Sequence, residues 1–198
     1  MLPSPYDFAK ARLVMREMAD HLALDLVDKG LVTDQMVLTV GYDVENLSDP
    51  KRSRAYKGPV TTDYYGRRVP KHAHGTANLG RQTDSARRIM DAVMALYDRI
   101  VDPDLLVRRI NLTANHVVDE SSVSKESSEE QLDLFTDYAA EQRKRAEENA
   151  ALERERRRQK TILSIKKKYG KNAILKGMDL EEGATTLDRN KQIGGHRA

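Results

Sequence analysis

Between residues 7 and 117 the apolar residues switch between the three-to-four spacing of a helix and the two-residue spacing of a strand, and every segment is apolar on one side only. Asp7 is placed to cap a helix that runs to Lys29 and stops at Gly30, with Val14, Met18, Leu22 and Val27 near helical spacing. Met36, Leu38, Val40 and Tyr42 then alternate with Gln35, Val37, Thr39 and Gly41, the signature of a half-buried strand. A second strand has His74, Thr76 and Asn78 opposite Ala73, Ala77 and Leu79, pairing with the first as a wide hairpin. A second helix begins near residues 83–85 and buries Ala86, Ile89, Met90, Val93, Tyr97 and Ile100, until Pro103 closes the segment. The third strand, residues 105–117, sets Leu106, Ile110, Leu112 and Ala114 against Val107, Arg109, Asn111 and Thr113. Arg108 falls on the apolar parity, which places it at the strand entry with its head reaching water.

Helix, strand, strand, helix, strand, each one-faced, predicts an α+β, two-layer sandwich: a small mixed β-sheet with two helices on one face. The other face is then open. It displays His74, Thr76, Asn78, Arg109, Asn111 and Thr113, a polar and basic set suited to phosphates, although a merely solvated sheet face satisfies the same pattern. Residues 43–71, with Pro50, Gly58, Pro59, Gly66 and Pro70 among basic residues and tyrosines, read as one long loop.

Charge is segregated along the chain. Residues 51–74 hold seven Lys or Arg against Asp63, a net of +6; residues 119–137 hold seven acids against Lys125, a net of −6; residues 151–171 return to +7. Two basic blocks around an acidic spacer favour a polyanionic partner. The absence of cysteine excludes disulfides, thiol nucleophiles and thiolate zinc sites. No stretch approaches the roughly 18 to 20 apolar residues of a membrane span, and the start has no basic region followed by an apolar one, so the expectation is a cytoplasmic chain with no membrane partner.

The expected organisation is a domain over residues 1–118, an acidic linker over 119–136, and a charged helix with a tail over 137–198, the helix ending at Gly170. Inside the linker stand Gln131, Leu132, Asp133, Leu134 and Phe135, an apolar hook in an acidic, serine-rich stretch. This pentapeptide resembles the motif by which bacterial polymerases and repair factors hold the ring-shaped sliding clamp. Leu134 and Phe135 would each yield roughly 1.5 to 3 kcal/mol on entering an apolar pocket. The alternative is an amphipathic first turn of the following helix.

Taken in order, Tyr6-Asp7-Phe8-Ala9-Lys10-Ala11, Val40-Gly41-Tyr42-Asp43, Arg108-Arg109-Ile110, the hook, and the tail from Tyr169-Gly170-Lys171-Asn172-Ala173 to Gly194-Gly195-His196-Arg197-Ala198 resemble the C-terminal part of bacterial Y-family translesion DNA polymerases, the UmuC and DinB group. The tail is most similar to versions from Gram-positive bacteria and their mobile elements. The resemblance implies a little-finger domain that holds damaged, duplex or primer-template DNA through backbone contacts on an open sheet. Arg108 and Arg109 match the family's phosphate-touching arginines; Arg67, Arg68, Lys71, Thr76 and Arg81 correspond in position, more loosely in sequence. The resemblance also implies a sliding clamp as partner for residues 131–135, and a role in the SOS response and DNA repair.

The family's chemistry resides in a palm domain that binds two Mg²⁺ ions. The palm, fingers and thumb would precede residue 1, so no cofactor and no catalytic residue is expected in this chain, and the rest of the polymerase is a further expected partner. Of the family's first sheet strand only Met1-Leu2-Pro3 remains, which predicts three strands. A piece of a longer polymerase and a natural shorter reading frame both fit, and a free-standing adaptor or competitor that occupies the clamp or damaged DNA is the alternative function.

Other constellations are weaker. Asp119-Glu120 lack a partner acid on a neighbouring strand, His72 and His74 lack a third ligand, and Ser121, Ser122 and Ser124 near His116 lack a residue to orient a base. The charged helix has no sustained seam for a coiled coil, and fits a solvated helix or one lying along DNA through Arg154, Arg156, Arg157, Arg158 and Lys160. RNA binding is disfavoured because few exposed aromatics suited to base stacking fall on the proposed face.

Overall fold

In a computed structural model the chain is described over residues 1–123, 138–193 and 196–197. The hook, residues 131–135, lies outside the described residues.

Helix α1 (Phe8–Lys29) starts where the Asp7 side chain accepts the Lys10 amide at 2.8 Å and ends at Gly30, whose φ of 65° turns the chain out of the helix. Strand β1 (Leu31–Tyr42) follows directly, longer than its alternating pattern suggests, with Met36, Leu38, Val40 and Tyr42 buried. Strand β4 (Ala73–Thr83), helix α4 (Ala86–Ile100, capped by Ser85) and strand β5 (Val107–Asn115) complete the expected order. The sheet order is β4-β1-β5, with a short β6 (Val118–Asp119) continuing along the start of β1.

The sheet was expected to be mixed, and all its pairings are antiparallel. The reason is topological. β4, α4 and β5 form a parallel crossover, but β1 lies between its two strands, so the parallel neighbours never touch. Three main strands are present as expected, and the N-terminal residues line the free edge of β5: Leu2 donates to Arg108 at 3.0 Å, and Tyr6 exchanges hydrogen bonds with Val107 at 2.9 and 2.7 Å.

Both long helices of the first hundred residues cover one sheet face, making a core of Val14, Met15, Leu38, Ile89, Val93 and Val107, among others. Each such side chain contributes roughly 1.5 to 3 kcal/mol on burial. α4 approaches β4 closely at Gly75, where an added Cβ would stand 2.9 Å from the Leu96 Cδ1. Buried Tyr97 keeps its hydroxyl paired, donating to the Phe8 carbonyl at 3.0 Å, and burial pushes its ionisation upward.

Residues 43–71 are not a plain loop. They form α2 (Glu45–Ser48), α3 (Pro50–Ala55) and a small hairpin of β2 (Val60–Thr62) and β3 (Arg68–Pro70). Asp49 caps α3 with Pro50 at its first position, and Asn46, fully buried, ties the arm to the sheet by donating to Leu106 and accepting from its amide at 2.9 and 2.8 Å.

The C-terminal segment packs on the domain. Helix α5 (Tyr138–Tyr169) lies against the end where α1 stops and α4 begins. Glu155 accepts from the Ser85 hydroxyl at 2.8 Å and the Arg87 amide at 2.9 Å, and Arg156 pairs with Glu120 and, at 3.6 Å, with Asp84. The Arg156 guanidinium holds the Glu120 carboxyl below its usual range, so this contact favours docking above ordinary carboxylate values and fades as pH falls through the lowered one. Burial raises Asp84, which acts in the opposite sense. Arg156→Glu would gather like charges beside Asp84 and Glu120, and trypsin cleavage at Arg154, Arg157 and Arg158 should quicken by about tenfold, a ~1.4 kcal/mol rise in local opening. Unchanged cleavage would contradict this docking.

Beyond Gly170 a short 3-10 turn (Gly177–Leu180) and α6 (Thr186–Asn190) fold back on the outer side of α1. α1 is therefore covered on two sides, which is why its buried set includes Glu17 and Asp20 as well as its apolar stripe. Two small strands, β7 (Gln192–Ile193) and β8 (His196–Arg197), pair at the end. No helix among the described residues is long and apolar enough to cross a membrane.

Candidate nucleic-acid interface

The sheet face away from α1 and α4 is built from register. Across the three strands the rows run His74, Thr39, Asn111; then Thr76, Val37, Thr113; then Asn78, Gln35, Asn115. Every flanking member of the first two rows is exposed, and so is Asn78. Gln35 donates to Asn78 at 3.0 Å and accepts from Asn115 at 3.1 Å, while Thr39 and His74 are joined at 2.9 Å. The result is a flat surface of amides and hydroxyls, with side chains already oriented by cross-strand partners. His74, Thr76, Asn78, Arg109, Asn111 and Thr113 share this face as the alternation predicted.

The arginines enter through an irregularity that periodicity does not reveal. Gly41 pairs with Arg109 but Tyr42 pairs with Val107, so Arg108 is an extra residue in β5. This bulge resets the parity: Val107, expected on the open face, is fully buried, and Arg108, expected on the apolar parity, joins Arg109 along the same groove. Arg108 is steadied by Asp43 at 3.6 Å, and Arg109 is exposed. Gly41 lies opposite Arg109, where an added Cβ would meet the arginine's own at 3.4 Å.

The basic arm stands at this same end of the sheet. Its hairpin and β5 enclose a groove of about 380 Å³ over Thr39 and Gly41, with Arg67 on one side and Arg108, Arg109 and Asn111 on the other. Arg67 is engaged by Asp63 at 2.7 Å, which holds that carboxyl below its usual range. Arg68, one residue on, faces away, towards Leu47 and Ser53. Lys71 is exposed where the arm rejoins the sheet, its amide bound to Pro59 at 2.8 Å. Arg81 lies off the face, beyond Gly80 and a register break, and pairs with Glu148 of α5 at 3.5 Å.

The remaining polar clusters have local partners. Asp119 accepts from the Ser121 amide at 2.8 Å, and Glu120 is engaged by Arg156. The rings of His72 and His74 stand 6.5 Å apart, edge to face, and among the described residues no three His, Asp or Glu side chains converge as metal ligands. Sequence reasoning missed the aromatic rim: Tyr64 and Tyr65, at the hairpin tip, line the same groove. The Asp63 to Gly66 turn signal was the available clue.

Chemically, the arrangement offers hydrogen-bond donors and two adjacent arginines, Arg108 at the bulge and Arg109 beside it. Such a surface can hold a phosphate backbone. Residues 3–134 are similar to the impB/mucB/samB family C-terminal domain. No curated protein and no solved structure gives a match.

Proposed function

Since the chain belongs to the impB/mucB/samB family and carries the C-terminal part of a Y-family DNA polymerase, we propose that its open sheet face binds duplex or primer-template DNA through the phosphate backbone. The observation that supports this best is the bulge in β5, which brings Arg108 and Arg109 to one groove at the edge of an uncovered polar face, beside the basic arm. His74, Thr76, Asn78, Asn111 and Thr113 add hydrogen-bonding groups that suit any sequence, because phosphate contacts position a protein without reading bases. Arg67, Lys71 and the exposed Lys51 and Arg54 of the arm extend the positive field. Arg68 and Arg81 join only if the arm or α5 shifts, since one faces away and the other is paired.

In this role the chain holds DNA for catalysis carried out elsewhere in the polymerase, whose palm would supply the Mg²⁺ site. The pentapeptide at residues 131–135 tethers the assembly to a sliding clamp; its support is the resemblance of Gln131, Leu132, Asp133, Leu134 and Phe135 to clamp-binding hooks and its placement in an acidic flank. The functions that follow are translesion synthesis and SOS repair.

The test is the salt dependence of duplex binding. Affinity should fall linearly on logarithmic axes, and the Arg108→Ala, Arg109→Ala variant should give a line shallower by about two contacts' worth. An unchanged slope would remove these arginines from the interface.

A further inference from the structure

The tip of the β2–β3 hairpin holds two aromatic rings in water. Tyr64 is 96% and Tyr65 70% exposed, their rings edge to face at 5.4 Å. The turn does not need them; small polar residues fill such positions more often. It is also firmly built. The Asp63 carboxylate accepts the Tyr65 and Arg67 amides, each at 2.9 Å, and Gly66 takes the positive φ of 78° that closes the turn. Arg67, fixed by Asp63, lies 5.2 Å from the centre of the Tyr65 ring. The rings are thus carried on an ordered backbone, so binding would restrict ring rotamers and little of the main chain.

Across the groove stand Arg108, Arg109 and Asn111. The hairpin side carries the two rings with the Asp63–Arg67 pair, and the β5 side carries Arg108 and Arg109, the first paired with Asp43. A duplex offers phosphates but hides the faces of its bases, whereas an unpaired strand offers both together. We propose that this groove binds an unpaired stretch of DNA, with bases stacked on Tyr64 and Tyr65 and the backbone continuing from the duplex phosphates held at Arg108 and Arg109. The inference rests on the duplex-binding reading of the adjoining sheet, for it places a single-strand site where a template strand would leave the duplex.

Fluorescence anisotropy tests it with three probes: a blunt duplex, the same duplex carrying a single-stranded overhang, and oligothymidine. The wild-type chain should bind the overhang substrate about tenfold more tightly than the blunt one, the worth of one stacked base. Tyr64→Ala, Tyr65→Ala should erase that preference and weaken oligothymidine binding by a similar factor, with blunt-duplex affinity unchanged. Tyr64→Phe, Tyr65→Phe should retain both, because stacking needs the ring and not the hydroxyl. An alanine variant that keeps the preference, or a wild type that has none, overturns the proposal. Absence of blunt-duplex binding would overturn the sheet reading instead, while oligothymidine still judges the groove.

Discussion

Replacing Leu134 and Phe135 together with Ala is expected to weaken binding to a purified bacterial sliding clamp by a hundredfold or more. Each side chain is worth roughly 1.5 to 3 kcal/mol in an apolar pocket, so losing both removes about 3 to 6 kcal/mol, most of the energy a pentapeptide can supply. The surroundings sharpen the expectation. Residues 119–137 carry a net charge of −6, and apart from the two anchors their only apolar side chains are Leu132, within the hook, and Val123. At the start of the segment, Glu120 is paired with Arg156 of α5, so the chain is attached to the domain on both sides of the hook. Surface plasmon resonance on immobilised clamp measures the effect directly. Binding that survives the double substitution would move the contact elsewhere, and a wild type that does not bind would remove the clamp from the account.

Glu17→Ala is expected to cost about 2 to 4 kcal/mol of stability, an effect out of proportion to a single carboxylate on a helix. Glu17 is 2% exposed, yet its two oxygens accept from the Thr185 amide at 3.1 and 2.8 Å, the Thr185 hydroxyl at 2.9 Å and the Thr186 amide at 3.0 Å. It therefore satisfies the otherwise unpaired amides at the start of α6 and places a negative charge there. Arg189, whose ionisation burial pulls down and the Glu17 and Asp25 carboxylates push back up, would lose a counter-charge as well. Removing the acceptor strands buried donors and should free residues 176–190 from α1. Urea denaturation would show the lower midpoint, and hydrogen exchange would show amides of that segment deprotected before those of β1. Glu17→Gln, which keeps one good acceptor, should cost markedly less. A loss under about 1 kcal/mol for the alanine variant would mean the segment is held mainly by Lys10 with Glu182 and Lys176 with Asp20.

The sandwich was legible because its long elements are one-faced: Val93 and Tyr97 on α4, or Leu38 and Val40 on β1, declare their side by spacing alone. Elements shorter than two turns or three pleats have no spacing to read, so α2, α3 and the β2–β3 hairpin vanished into a loop. Their signals were chemical: Asp49-Pro50 for a capped helix start, and Asp63 with Gly66 for a tight turn. A bulge of one residue is harder, since Arg108 disturbs the alternation no more than a misplaced side chain would, yet it decides that both arginines line one groove at the edge of the open face. The docking of the tail had one clue, Glu17 set among the residues of α1 that become buried. A carboxylate there needs partners, and those partners lie more than 160 residues further along the chain. The polar face was read correctly by parity; the pairing of Arg81 and the turning away of Arg68 depend on tertiary neighbours that no local pattern contains.

The central claim, that duplex DNA lies on the uncovered sheet face, is most directly tested by photo-crosslinking from single cysteines, which the absence of native cysteine makes unambiguous. Thr76→Cys and Thr113→Cys place the label on the open face, and Ala95→Cys places it on the exposed side of α4. Labels at residues 76 and 113 should crosslink to duplex DNA in a salt-sensitive manner, and the label at residue 95 should not. Crosslinking from residue 95 alone, or equally from all three, would contradict the account.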